Sequence, residues 1–267
     1  MSTLRARSVT SPLGSRSITG SLRSRIFQPY MWPSATPKLD LGGCVFYAPL
    51  YNTRLADSPF TSLDIYGHIC TVTGAVWGTQ GRRFTPAPDD YITIDAALVP
   101  LASSTKGTWM IGVMLDVATP VGSPNLICFG DTNAAEMIWI EIIAATGIFR
   151  AGVYDASVEK WILSTNAVAL SDGVYAHLAV IQDGVSPVLL VNGVPVAQTF
   201  TSSADKTSWF SVCTGLDNGR LGCRNWNNAG NASYIRNGNV GEVVLSNRVY
   251  TIPEVQNHIL ATKWRYT

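Results

Sequence analysis

Charge is scarce in this chain. Asp, Glu, Lys and Arg make up only 14% of 267 residues, and 19 basic against 18 acidic side chains leave a formal net charge of +1. A chain so poor in charge is neither a strongly basic nucleic-acid binder nor an acidic solvating segment, and Ser, Thr, Asn and Gly must keep its surface wet. Long apolar runs are missing too. No stretch approaches the roughly 18 consecutive apolar residues of a membrane-spanning helix, and the first residues hold no apolar core of the kind a secretory signal peptide needs. No membrane partner is expected. Cys44, Cys70, Cys128, Cys213 and Cys223 are odd in number and include no C-x-x-C pair. His68, His177 and His258 stand singly. A zinc framework and a disulfide scaffold are therefore not expected, and the cysteines read as buried reduced thiols. G-x-S-x-G, phosphate-loop and H-E-x-x-H patterns are absent as well.

What the sequence does hold is apolar residues and turns: 46% hydrophobic content, 23 glycines and 14 prolines. That is a sizeable core cut into short elements. Strands are expected at 43–50, 69–77, 90–94, 108–116, 135–142, 148–154, 160–164, 174–182 and 188–191. In the fifth of these, Ile138, Ile140 and Ile142 fall on one face, with Met137, Trp139 and Glu141 on the other. Asn192-Gly193 between two apolar runs predicts a tight hairpin into Val194–Val196. Thr251-Ile252-Pro253-Glu254 has the form of a capping box, opening one helix near the C-terminus. Many strands, short turns and a single short helix imply an all-β, antiparallel two-sheet sandwich.

The first 39 residues differ from the rest. Residues 1–39 contain Arg5, Arg7, Arg16, Arg23, Arg25 and Lys38 and not one acid, so residues 40–267 hold 13 basic against 18 acidic side chains. This Ser- and Arg-rich tract, punctuated by Pro29, Pro33 and Pro37, lacks the periodicity to build a core. A transit peptide shares that composition. The sharper expectation is an extended docking arm, residues 1–39, that attaches a domain, residues 40–267, to a larger assembly. Six positive charges without a repeating pattern make direct nucleic-acid contact a minor expectation.

Four motifs in order carry a family resemblance. Arg83-Phe84 leading to Asp89-Asp90-Tyr91-Ile92 resembles a strand entry of concanavalin A-like, laminin G-like jelly-roll domains, and Thr108-Trp109-Met110-Ile111-Gly112-Val113 resembles the strand after it. Tyr175-Ala176-His177-Leu178-Ala179-Val180 followed by Leu190-Val191-Asn192-Gly193 is similar to the family's W-H-H-V-A-V…V-N-G pattern. Gly238-Asn239-Val240-Gly241-Glu242-Val243 running to Arg248 and Glu254 is similar to its closing segment. The likeness spans about residues 43–262. Thr85–Pro88 replaces a glycine turn, Tyr175 a tryptophan, and Gly241 an aspartate.

The resemblance implies a jelly-roll scaffold that hosts lectins, adhesion modules, glycosidases and structural virion domains, so site residues must separate them. Glu136-Met137-Ile138-Trp139-Ile140-Glu141 keeps both outer glutamates of an E-x-D-x-x-E glycosidase strand but has Ile138 at the central acid. Retaining chemistry wants two carboxyls about 5–5.5 Å apart, and no catalytic residue and no enzyme activity are expected. His177 corresponds to a family position with a packing or hydrogen-bonding role. The resemblance places calcium, where it binds, on loop-rim Asp and Asn side chains. Asp131 and Asn133 fit that role, with Asn227 or Asn228 from a later loop and Asp217 and Asn218 as another set. Trp226 among Asn225, Asn227 and Asn228 is the most sugar-binding-like aromatic. No other cofactor is expected. The leading expectation is a non-enzymatic phage virion component, of the capsid decoration or fibre type. It would be made in the host cytoplasm, attached to a shell through its arm, associated as a homo-oligomer and displaying the sandwich. The alternative is a carbohydrate-binding, lectin-like adhesion module.

Overall fold

The structure, a computed structural model, describes residues 42–85 and 89–266. The proposed arm with its six basic residues, and the boundary at 39/40, lie outside the described residues. In chain order the first strands are β1 (Cys44–Pro49), β2 (Phe60–Thr61), β3 (Ile69–Thr73), β4 (Val76–Gly78), β5 (Gly81–Phe84) and β6 (Tyr91–Thr93). A one-turn helix α1 (Leu98–Leu101) precedes β7 (Gly107–Leu115), β8 (Asn125–Gly130), β9 (Met137–Ile142), β10 (Ile148–Asp155) and β11 (Val158–Val168). Then come β12 (Ala176–Gln182), β13 (Val188–Val191), β14 (Val194–Pro195), β15 (Gln198–Ser202), β16 (Asn218–Leu221), β17 (Arg224–Asn225), β18 (Asn231–Ala232) and β19 (Gly238–Ser246). Helix α2 (Ile252–Thr262) follows.

Two antiparallel sheets face each other. One runs β14-β13-β12-β7-β19-β5-β4, with β1 also paired to β19; the other runs β15-β11-β10-β9-β8-β16-β6-β3-β2. The expected all-β sandwich with a C-terminal helix is what forms. Strand alternation builds its core: Trp109, Ile111, Val113 and Leu115 of β7 point between the sheets, as do Ile138, Ile140 and Ile142 of β9. Each side chain of this kind contributes about 1.5–3 kcal/mol when fully buried. The outer face of the β7 sheet is also apolar, and Val255 and Ile259 of α2 cover Met110, Ala179 and Val244 there.

The capping box forms as expected: Thr251 Oγ1 accepts from Glu254 N, and Glu254 Oε2 accepts from Thr251 N at 2.7 Å. Asn192 and Gly193 both take positive φ, 52° and 76°, as a tight two-residue hairpin requires. All five cysteines are buried free thiols.

Three expectations need correction. Residues 69–77 are not one strand. Gly74 turns the chain at φ +75°, sending β3 and β4 into different sheets, and a Cβ there would lie 1.8 Å from Asp90 Oδ1. The 160–164 strand extends to Val158–Val168, because pairing with both β10 and β15 overrides its polar ends. The single-helix reading also missed α1, whose Leu98 and Leu101 are buried although Pro100 obscures their helical spacing.

Candidate functional site

The loops at one end of the β9 sheet converge on a polar rim. After β8, Asp131 makes a side-chain-capped turn, its Oδ1 accepting from Asn133 N at 2.7 Å and Ala134 N at 3.1 Å. The segment after β17 ties onto it. Asn227 N donates to Asp131 O at 2.9 Å, Asn228 N to Thr132 O at 2.7 Å, and Asn228 Nδ2 to Asn133 O at 2.9 Å. Asn227 and Asn228 take φ of 50° and 58°, a left-handed conformation asparagine tolerates. Asn218 Nδ2 bridges Gly130 O at 2.8 Å and Asn225 O at 3.0 Å. Gly130 is required by this approach, since a Cβ would sit 2.3 Å from Asn225 O. Asp217 accepts from Thr132 N at 2.9 Å and from Thr132 Oγ1. Desolvation opposes ionisation of Asp217, but the hydrogen bonds from Asn218 and Thr132 hold its carboxyl below the ordinary value.

The two loop segments singled out in the sequence, 131–133 and 225–228, are thus one structure. On it, Trp226 is half-buried and meets Tyr154 edge-on at 5.4 Å between ring centroids. The Arg224 guanidinium lies 5.9 Å from the same indole. Asn227 and Asn228 are exposed, and Asn225 is half-buried.

At the calcium candidates Asp131 and Asn133, one carboxylate oxygen and one backbone carbonyl are already engaged. Asp131 Oδ1 is spent on two backbone amides and the Asn133 carbonyl on Asn228. Among the described residues, no group of three His, Cys, Asp or Glu side chains is placed to hold a metal. Beside the rim, Glu136 Oε2 accepts from Gly215 N at 2.5 Å. Burial, then a hydrogen bond with the Asp155 carboxyl, raises the Glu136 pKa, and the Gly215 amide works against them. Asp155 is in turn paired with Lys160 at 3.1 Å.

The Glu136/Glu141 pair does not form a glycosidase dyad. Five residues of extended chain put the two about 16 Å apart, and each carboxylate has its own partners. Glu141, 2% exposed on the outer face of β9, accepts from Arg150 Nε at 2.6 Å, Trp139 Nε1 at 3.1 Å and Asn125 Nδ2 at 3.3 Å. Sequence reading did not find this cluster. Its signal is the pairing of Arg150 with Glu141 across β10 and β9, which exists only once the register is known.

His177 is part of a buried chain on the opposite sheet. Tyr266 Oη lies 2.6 Å from its Nε2 and donates to Glu242 Oε1 at 3.0 Å. The same carboxylate oxygen meets His258 Nε2 at 2.9 Å and Thr262 Oγ1 at 2.6 Å. Burial pushes the His177 pKa down to about 4. The structural role expected for it fits these contacts, which bind the end of α2 and Tyr266 to the sheet.

No family model and no curated protein matches the sequence. Solved structures do share the fold. The chain is similar to a Trypanosoma rangeli sialidase in complex with sialic acid, at TM-score 0.61 and 16% identity over 85% of this chain and 34% of that one. It is similar to a Ruminococcus gnavus IT-sialidase CBM40 bound to α2,3-sialyllactose, at TM-score 0.52 and 16% identity over 72% of this chain and 97% of that one. A structure of NanB with Optactamide matches at TM-score 0.52 and 20% identity over 62% of this chain and 25% of that one. The chain therefore spans between a quarter and a third of the length of the NanB and Trypanosoma rangeli proteins. At such identities the likeness establishes a shared β-sandwich fold.

Proposed function

We propose that this protein is a non-enzymatic carbohydrate-binding module whose contact surface is the rim of Trp226, Asn225, Asn227 and Asn228. One observation carries the proposal: the 131–133 and 225–228 loops are hydrogen-bonded into a single preformed edge, with an indole beside exposed amides. An aromatic face stacks on the C–H face of a pyranose while flanking amides meet its hydroxyls, and preorganisation lowers the entropic cost of binding. The likeness to a CBM40 domain bound to sialyllactose supports the reading and makes sialylated glycans the first probes.

The test is glycan-array binding of the full chain against Trp226→Ala. Wild type should bind a defined subset of glycans, and the variant should lose at least about tenfold in affinity (~1.4 kcal/mol) with its thermal midpoint unchanged. Binding that survives in Trp226→Ala places the site elsewhere, and an array with no hits refutes the proposal.

A second reading, compatible with the first, is attachment to a virion shell through residues 1–39, resting on six basic residues without an acid. Deleting 1–39 should then abolish co-sedimentation with particles while glycan binding persists.

A further inference from the structure

Most arginines packed into the sandwich are already compensated. Among the described residues, Arg82 donates to four backbone carbonyls, Arg83 pairs with Asp116, Arg150 with Glu141, Arg220 with Asp95 and Arg248 with Glu254. Arg224 of β17 differs. It is half-buried, and among the described residues its guanidinium makes no hydrogen bond or ion pair. Its Nε is enclosed without an acceptor, which leaves the two Nη groups as donors for a ligand. The guanidinium touches the Trp226 indole at 5.9 Å from the ring centroid, close to the outer limit of about 6 Å for a cation–π contact. Such a contact is too weak to replace the water that a half-buried cation has lost.

This cation stands on the rim itself. Extended chain sends side chains two residues apart to the same side, and the contact between Arg224 and Trp226 follows that rule. The acids of the region have other donors. Glu141 accepts from Arg150, Trp139 and Asn125, and Asp217 from Thr132 and Asn218. A pyranose resting on the indole would bring its substituents up to a positive charge that no carboxylate of the described residues neutralises.

From this arrangement we propose that the rim selects acidic glycans, with Arg224 holding their charged group, a carboxylate or a sulfate ester. The inference rests on the reading of the Trp226 rim as a glycan site and adds its charge preference. Two N–H donors side by side match two oxygens of an oxyanion. The partly desolvated setting makes that attraction stronger than it would be for a cation standing in water. A neutral glycan on Trp226 leaves the guanidinium uncompensated, so the same glycan carrying an oxyanion gains affinity.

The experiment is binding of the full chain to matched glycans, each neutral member beside its sialylated, glucuronylated and sulfated forms. Charged members should bind at least about tenfold more tightly than their neutral parents. A response confined to the sialylated and glucuronylated forms identifies the carboxylate as the group held, and one confined to the sulfated forms identifies the sulfate ester. Arg224→Gln should bring charged members down to the level of neutral ones with its thermal midpoint unchanged, since no hydrogen bond of the fold is lost. Arg236→Gln, at an exposed arginine, should leave the preference intact. Trp226→Ala should weaken charged and neutral members alike. Neutral glycans bound as tightly as charged ones, a preference that survives Arg224→Gln, or an equal loss in Arg236→Gln each overturns this inference while the rim reading stands. No binding to any member refutes the rim reading and this inference with it.

Discussion

Arg82 is 3% exposed, yet its guanidinium donates to the backbone carbonyls of Leu55, Ala56, Asp57 and Ala75, closing the end of the 3₁₀ turn at Thr53–Leu55. Burial lowers its pKa, and the fork of donors holds the charge in place. Arg82→Lys offers three donors on a point charge in place of that planar fork, so it should cost about 2–4 kcal/mol, read as a fall in urea midpoint at unchanged slope. At Gly152 a Cβ would come within 2.5 Å of the Trp139 indole, which lies over it across the strand pair. Gly152→Ala should displace that ring at a cost of about 1–3 kcal/mol, visible as a changed tryptophan near-ultraviolet signal. Neither residue was legible from sequence. The partners of Arg82 lie seven to 27 positions away along the chain, and Gly152 matters only because Trp139 pairs with it.

At the scale of elements, α2 shows both what sequence can announce and what it cannot. Its capping box was plain in Thr251-Ile252-Pro253-Glu254, because both partners lie within four residues. Thr251→Ala should cost about 1 kcal/mol of thermal stability. The Thr251 backbone N–H and then Arg248 hold the Glu254 pKa at about 2 against an ordinary 4.5. The support of this carboxylate is therefore complete above pH 4.5 and is lost as pH falls toward 2. Glu254→Gln should remove that acid-side dependence. The seat of Tyr266 was invisible by comparison. Its ring lies against Gly112 and Gly241, where a Cβ would come within 2.9 Å of it. That accounts for glycine standing at 241, where the resembling family has aspartate. His177, held at about 4 against 6.5 in this cluster, remains neutral in the fold while the unfolded chain takes up a proton. Its contribution is whole above pH 6.5 and is lost on the way down to about 4, an effect on the order of 3 kcal/mol. His177→Gln should flatten the stability profile across that window, measured as urea midpoints at pH 5 and 7.

Across the whole molecule, the two sheets are joined by an aromatic knot. Trp109 lies 5.1 Å from Trp209, 5.5 Å from Phe129 and 5.6 Å from Phe210 between ring centroids. Its partners come from the facing sheet and from the loop before β16, so Trp109→Ala should cost about 3–5 kcal/mol and lower the thermal midpoint of the whole sandwich in one transition. The amino-acid sequence alone determined the fold class, the two faces of β9, the hairpin at Asn192-Gly193 and the cap of α2. All of these depend on neighbours a few residues apart, whose spacing mirrors the strand and helix repeats. It also marked Asp131, Asn133 and Trp226 with its flanking asparagines as site candidates, because those residue types carry their chemistry wherever they stand. Only the tertiary structure decided that 131–133 and 225–228 form one edge, that Asp131 Oδ1 caps its own turn, and that Glu141 belongs to Arg150. Contacts between distant segments follow from sheet order and register, which local pattern leaves open.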